Sequence, residues 1–406
     1  MSLRITGLGE EIGSVIGLPW EQPLEQWPED PILAEKRGIS RHVVRLVRSD
    51  EEDPNSEIYA VKETVVEFAK REYKALIELK RLGAPSVEPV AVIEGRTDTA
   101  GEELPCAIAT RFLPYSLPYR VVLSQSVSEH DINNMANALA YLLVQLHLLG
   151  FWWGDCSLSN TLFRRDAESF AAYLVDAETG EFQTKLSDGQ REHDLEIAFF
   201  NVAAELEDLQ LSGVLYEGMD PIRASEAVQR RYRRLWSALK DPKKLDPSDR
   251  HAVERAMREL HDLGFAVEEV QVALDNETHM LSFQPRLVAA GYHSAKLKNR
   301  FGLDAQELQA KRILASFDRW YARQPEKSSK DEMAKEWLDT VFFKIIDLIP
   351  AELMGRVEKA QMFHEILENR WYMTEKAGFD VGLEVAAEAY INEILPLRMD
   401  SGVEAE

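Results

Sequence analysis

The first regular pattern along the chain is a pair of β-branched runs. In SRHVVRLVRSDEEDPNSEIYAVKET, starting at Ser40, they flank an acidic turn containing Pro54 and Asn55, which predicts a hairpin. The period then changes in TVVEFAKREYKALIELKRLGAP. Thr64 followed by Glu67 reads as a capping box, and Gly83 ahead of Pro85 as a stop, so a helix is predicted between them. The apolar runs VEPVAVIEG and LPCAIATRFLP add strands, giving a sheet with one inserted helix over the first 115 residues. Residues 1–30 lack a clean period, but Trp20 and Trp27 are large apolar groups that predict an arm docked by its two rings.

From Ser128 the spacing becomes helical. SEHDINNMANALAYLLVQLHLLG puts Met135, Leu139, Leu142 and Leu146 on one side and stops at Gly150. The runs TLF and AAYLV bracket RRDAESF, predicting a short hairpin whose second strand delivers Asp176; residues 192–210 and 221–240 read as helices. The Pro/Asp-rich KDPKKLDPSDR predicts a boundary near 241–250. Beyond it the pattern reads helix, strand, Asp-Asn turn, strand and two helices. The spacer QPEKSSKDE then leads to helices near 331–349, 356–377 and 380–395. No internal repeat or low-complexity tract interrupts the series.

Length supports more than one packed unit, because 406 residues exceed the ~250–300 at which single cores stop growing. The formal charge of −23 would repel nucleic acid and anionic membrane faces. Two cysteines, Cys106 and Cys156, make neither a disulfide framework nor a cysteine-rich zinc site. No apolar run reaches the roughly 18 residues of a membrane span, and the opening MSLRITGLGEE lacks the unbroken apolar stretch of a signal peptide. A cytoplasmic protein is the expectation. His261, His279 and His293 have no metal-ligand spacing. Lys296, Lys298, Arg300, Lys311 and Arg312 form a basic patch, either a solvated helix face or a surface for something acidic.

Five residues in a fixed order change the picture. Lys62 ends a strand, Glu72 lies in the next helix, Asp155 and Asn160 fall in GFWWGDCSLSNTLFRRD after a buried helix, and Asp176 follows the run AAYLV. Together they supply what phosphoryl transfer from a nucleotide requires: a cation on the phosphates, metal ligands and a carboxylate near the attacking hydroxyl. Phe68 and Leu76 put Glu72 in the apolar stripe of its helix, whereas Glu67 and Glu78 fall off it. A buried carboxylate needs a partner, and Lys62 is available. The alternatives are two surface charges for Lys62 and Glu72, an aspartate capping its own turn at Asp155, and an ordinary strand-end turn at Asp176.

The series YAVK, a helix glutamate, WGDCSLSN and LVDAETGE resembles the protein-kinase-like superfamily, in the style of small-molecule and lipopolysaccharide kinases. Over nearly its whole length the chain also resembles a bacterial family joining such a half to a C-terminal domain of unknown function. The resemblance implies that Lys62 binds the α/β-phosphates, Glu72 orients it, Asp155 is the catalytic base, and Asn160 and Asp176 hold Mg2+. Three departures stand beside it. Trp153 replaces the usual histidine, Ala177 and Glu178 follow Asp176 in place of Phe-Gly, and the nucleotide-covering loop KRGISRHVVR has one glycine, Gly38, with Ser40. Glu178 is a further candidate for a metal contact. Asp194 is either a brace for the catalytic loop or a solvated acid at a helix start, and Thr110, Arg111, Phe112 and Leu113 lie on the connection expected to meet adenine or simply end a strand.

The expected fold is α+β: a bilobal protein-kinase-like fold followed by a small α+β and helical C-terminal region. Its divisions are an N-terminal docking arm at 1–30, an N-lobe at 31–115, a helical C-lobe at 116–245 and a C-terminal domain at 246–406. The expected activity is an ATP- and Mg2+-dependent phosphotransferase acting on a hydroxyl acceptor. The alternatives are a pseudokinase or nucleotide-sensing scaffold whose C-terminal domain binds a protein partner, and an AMP transferase on the same fold.

Overall fold

The computed structural model describes residues 3–7, 9, 12–28, 42–50, 56–125, 128–215, 218–241, 243–246, 248–249, 251–263, 265–274, 280–325 and 328–398. Packing divides the chain into two units. The first holds most of the chain up to Arg233; the second holds Arg234–Val403 together with the hairpin tip Arg165–Ala171.

Five antiparallel strands open the first unit: β1 (Arg4–Gly7), β2 (Val44–Arg48), β3 (Ile58–Thr64), β4 (Pro89–Glu94) and β5 (Cys106–Arg111), in the order β1-β4-β5-β3-β2. The predicted hairpin is β2–β3, paired from Val44 opposite Lys62 to Arg48 opposite Ile58; its acidic turn lies outside the described residues. The N-terminal arm does more than dock. Its β1 pairs with β4 along the sheet edge, a short helix α1 (Ile12–Ile16) follows, and Trp20 and Trp27 are buried edge to face at 5.0 Å.

A buried ion pair that no motif announces fixes this arm. Arg96, fully buried, donates to Glu63 Oε1 at 2.7 Å and to the carbonyl oxygens of Trp20, Gln22 and Pro105, and Glu63 also accepts from the Leu24 amide. Each nitrogen of the guanidinium fork thus reaches an oxygen, which makes burial of the charge tolerable.

Helix α2 (Val66–Arg81) crosses the sheet, and here the capping expectation is corrected. Its N-cap is Val65, without a side-chain cap, because Thr64 is spent as the last residue of β3, paired with Cys106. The apolar stripe is also shifted. Phe68 is 41% exposed, and the buried face runs through Ala69, Glu72, Tyr73, Ala75, Leu76 and Leu79.

The helical part of the first unit comprises α3 (Tyr119–Gln125), α4 (Glu129–Leu148) and α5 (Asp188–Leu211), with α6 (Pro221–Lys240) running across the division between the units. α4 starts where Ser128 accepts from the Asp131 amide and is buried along most of its length, as its apolar content dictates. Small strands border the loop between α4 and α5: β6 (Ser116–Pro118), β8 (Thr161–Asp166) and β9 (Ser169–Leu174) form one sheet, and β7 (Phe151–Trp152) pairs with β10 (Glu181–Phe182). The β8–β9 turn is tighter than RRDAESF suggested. It turns at Ala167, whose φ is +59°.

The second unit starts with β11 (Lys243–Leu245), inside the segment read as a break, which joins β12 (Phe265–Leu274) and β13 (Leu281–Ala290) in a three-stranded sheet. Around it come α7 (Ala252–Asp262), α8 (Tyr292–Phe301) and α9 (Glu307–Ala322), in the predicted order. The helix expected over 331–349 is broken into α10 (Lys330–Trp337), a π-turn over Leu338–Phe342 and α11 (Phe343–Ile346). α12 (Ala351–Met354), α13 (Lys359–Ala377) and α14 (Leu383–Glu393) complete the chain. Their core is aromatic: Trp337 meets Phe363 edge-on at 5.7 Å, and Phe342 lies 4.8 Å from the same ring. No described helix is long and apolar enough to cross a membrane.

Candidate active site

Strand alternation places the first charge. On β3, Tyr59 and Val61 point into the core, so Lys62 and Ala60 face the other way, into a cleft of about 460 Å³. Glu72 comes from the buried face of α2 and is 2% exposed. Lys62 Nζ lies 2.6 Å from Glu72 Oε2, 3.0 Å from Asp176 Oδ2 and 3.6 Å from Glu178 Oε2. The surface-charge alternative for Lys62 and Glu72 is therefore excluded.

One ammonium among three carboxylates leaves negative charge in excess. Burial pulls the Lys62 pKa down, but Glu72 and Asp176 outweigh it and hold the ammonium above its ordinary value. Burial pushes the Glu72 carboxyl up, to about 8; Lys62 opposes this, while Asp176 and Glu178 add to it. Both directions are consistent with a fully charged lysine serving a crowded set of acids.

The loop carrying Asp155 is built by two glycines and one buried aspartate. Gly150, just past the α4 end, has φ +80°, and a Cβ there would sit 2.2 Å from the Gln183 carbonyl oxygen. Gly154 has φ +75°, with the Trp152 ring 2.8 Å from where a Cβ would be. Asp194, fully buried on α5, accepts from the amides of Trp153 at 2.8 Å and Gly154 at 2.7 Å, so it is a brace and not a solvated acid. Its Oδ2 also meets His147 Nε2 at 3.0 Å, and His147 Nδ1 meets the Tyr232 hydroxyl at 2.6 Å. Burial lowers the His147 pKa against the pull of Asp194, favouring the neutral ring. An imidazole from α4 thus supports a loop in which tryptophan stands at the usual histidine position.

Asp155 does not cap its own turn. Asn160 Nδ2 donates to its Oδ2 at 2.9 Å and to its carbonyl at 3.0 Å, and Asn201 Nδ2 donates to its Oδ1 at 3.2 Å. The Val175 amide donates to the Asn160 carbonyl at 3.1 Å, which sets Asn160 beside the segment leading to Asp176. Trp153 Nε1 donates to the Asp176 carbonyl, and the Glu178 amide to Asp176 Oδ1 at 3.0 Å. Glu205 accepts from the Leu158 and Ser159 amides at 2.8 and 2.9 Å and from the Ser159 hydroxyl. Burial raises its pKa against those donors.

Lys62, Glu72, Asp155, Asn160 and Asp176 all line the one cleft. Arg111 and Phe112 do not. Their amides donate to Glu88 and Ile58 carbonyls, Arg111 pairs with Glu57, and the β5 residues lining the cleft are Ile108 and Thr110. Gly38 and Ser40 lie outside the described residues. Asn201, Glu205 and His147 were not singled out in the sequence. Asp194, Asn201 and Glu205 do share a signal, since their spacing of 7 and 11 puts three polar residues on one face of α5.

The donor set fits a hard dication. Glu72, Asp176 and Glu178 offer carboxylate oxygens within 4.8 Å of one another, and Glu178 Oε2 is buried without a hydrogen-bond partner. Oxygen donors and surplus negative charge suit Mg2+ better than a soft metal.

Residues 58–213 match the model of the Lipopolysaccharide kinase (Kdo/WaaP) family, and residues 234–395 match a Domain of unknown function (DUF4032). One solved structure, described as "WaaP in complex with acyl carrier protein", is 18% identical over 58% of this chain and 92% of that one, with a TM-score of 0.34. No curated protein matches. The structure is α+β with a helical C-terminal region, and the family match supports a kinase-like phosphotransferase in general terms. The chain thus joins a segment similar to the lipopolysaccharide kinases, holding the cleft, to a segment similar to DUF4032.

Proposed function

We propose that the cleft transfers the γ-phosphoryl group of ATP to a hydroxyl acceptor with Mg2+ as cofactor. The observation that carries this is the convergence of Lys62, held between Glu72 and Asp176, with Asp155, held between Asn160 and Asn201, in one cleft. Lys62 meets the α/β-phosphates, and Glu72 keeps the ammonium in place while Asp176 serves the metal. Asp176 and Asn160, with Glu178 as a third oxygen donor, would hold Mg2+, which when bound would supply positive charge to the phosphate oxygens. Asp155 takes the acceptor's hydroxyl proton as that oxygen attacks the γ-phosphorus. The bond to the β,γ-bridging oxygen breaks, and its electron pair leaves on ADP. Asn160 and Asn201 aim the carboxylate, and Asp194 fixes the loop that carries it.

The first measurement is thermal denaturation with ATP, with and without Mg2+. A Mg2+-dependent rise in midpoint is expected, and no rise at millimolar nucleotide would leave a scaffold in place of an enzyme. ATP labelled at the γ or α position then separates the chemistries. Transfer of the γ label, lost in Asp155→Asn, is expected; transfer of the α label would mean adenylyl transfer instead.

A further inference from the structure

The second unit has its own cavity, of about 430 Å³, and its charge is of the opposite sign. α9 and its C-cap residue line it with Arg312, Arg319, Trp320 and Arg323, whose spacing of 7, 8 and 11 puts them on one helix face; α13 adds Arg370 and Trp371. Four guanidiniums around one cavity are unexpected in a chain of net charge −23. Among the described residues, Asp380 is the one carboxylate lining it, and it is engaged by Arg370, with Nε to Oδ1 at 2.8 Å and a second bond from Nη2. Glu368 lies within electrostatic reach of Arg312. Arg319 and Arg323 remain as the positive charge directed at the cavity. Burial, then Arg312, Arg370 and Arg323, pull the Arg319 pKa below the usual guanidinium value. Like charges held together in this way are relieved by a multivalent anion, and planar guanidinium forks suit phosphate oxygens in particular. Beside them Trp371, 55% exposed, and Trp320 offer aromatic surface.

We propose that this cavity binds a nucleoside polyphosphate, its phosphates on Arg319 and Arg323 and its base against the tryptophans, at a site separate from the cleft. The volume lies in the range of small-ligand sites. No metal is required, because the arginines supply the positive charge that the acidic cleft must obtain from a dication. This requirement separates the two sites experimentally.

The test uses the full chain in EDTA, titrated with ADP and with inorganic tripolyphosphate and followed by tryptophan fluorescence and calorimetry. Expected are saturable binding of both, at least tenfold tighter for ADP; retention of that binding in Lys62→Met; and at least a tenfold loss in Arg319→Glu/Arg323→Glu. Both arginines are exposed, so thermal denaturation of the double variant should match the parent, and its Mg2+-dependent ATP response should be unchanged. Absence of binding in EDTA at millimolar ligand overturns the proposal, as does binding insensitive to the double substitution. Equal affinity for tripolyphosphate and ADP overturns the tryptophan subsite. Loss of EDTA binding in Lys62→Met would assign that binding to the cleft and overturn the separate site, whereas failure of the cleft to bind Mg2+-ATP leaves these outcomes untouched.

Discussion

The two cavities treat charge in opposite ways. In and beneath the cleft of the first unit, acids outnumber the single ammonium, and the polar groups are held by named partners: fully buried Asp194 by two amides and an imidazole, half-buried Glu205 by two amides and a hydroxyl. In the cavity of the second unit, arginines outnumber the single acid among the described residues, with Arg319 and Arg323 exposed and Arg312 and Arg370 half-buried. The difference separates charges that hold a fold together from charges that wait for a ligand. Buried, fully bonded groups are costly to remove; exposed ones can be removed without harm to the scaffold.

The comparison can be broken at several strengths. The largest effect is expected from Asp155→Asn, which keeps shape and removes the proton acceptor. γ-Phosphoryl transfer should fall by about 10²–10⁴-fold with Mg2+-ATP binding retained, as read by label transfer and calorimetry. Asp194→Ala comes next. It strands the Trp153 and Gly154 amides and the His147 ring, and should cost about 3–5 kcal/mol in urea denaturation. A subtler effect lies in pH. Folding raises the Glu72 carboxyl from 4.5 to about 8, so its contribution to stability is complete below 4.5 and is lost as pH climbs through 8. In EDTA the denaturation midpoint should therefore fall over this window, and either Glu72→Gln or added Mg2+ should flatten the decline. The smallest effect is expected from Arg370→Ala, which breaks a solvent-facing pair with Asp380 and should shift stability by under about 1 kcal/mol. A loss near that of Asp194→Ala would mean that the cavity arginines are structural after all.

The sequence exposed the parts of the cleft that follow a periodic rule. Lys62 is the outward residue of an alternating strand, and Asp155, Asn160 and Asp176 sit where apolar runs end, so their order along the chain was readable. Glu72 was found through a stripe drawn partly on Phe68, which proved to be exposed; Leu76 alone carried the inference. What remained hidden depends on contacts between distant segments. His147 reads as a helix-end polar residue until Asp194, 47 positions on, is folded against it. Arg96 and Glu63 belong to no motif, and the buried oxygens that make their pairing tolerable come from Trp20, Gln22 and Pro105. The predicted basic patch illustrates the same limit. Lys298 and Arg300 pair with Asp304 and Asp331, whereas Arg312 lines a cavity with Arg319, Arg323 and Arg370, which the patch did not include and the last of which comes from another helix.

The pairing of β1 with β4 bears on how this protein avoids its own copies. Without residues 4–7, β4 would present an open ladder of amides and carbonyls beside a strand buried at five of its six positions, a ready template for another chain. A four-residue strand, anchored through Trp20, Trp27 and the Arg96 guanidinium, closes that template. Trimming the first seven residues should therefore show itself first as self-association at high concentration, before any loss of the cleft.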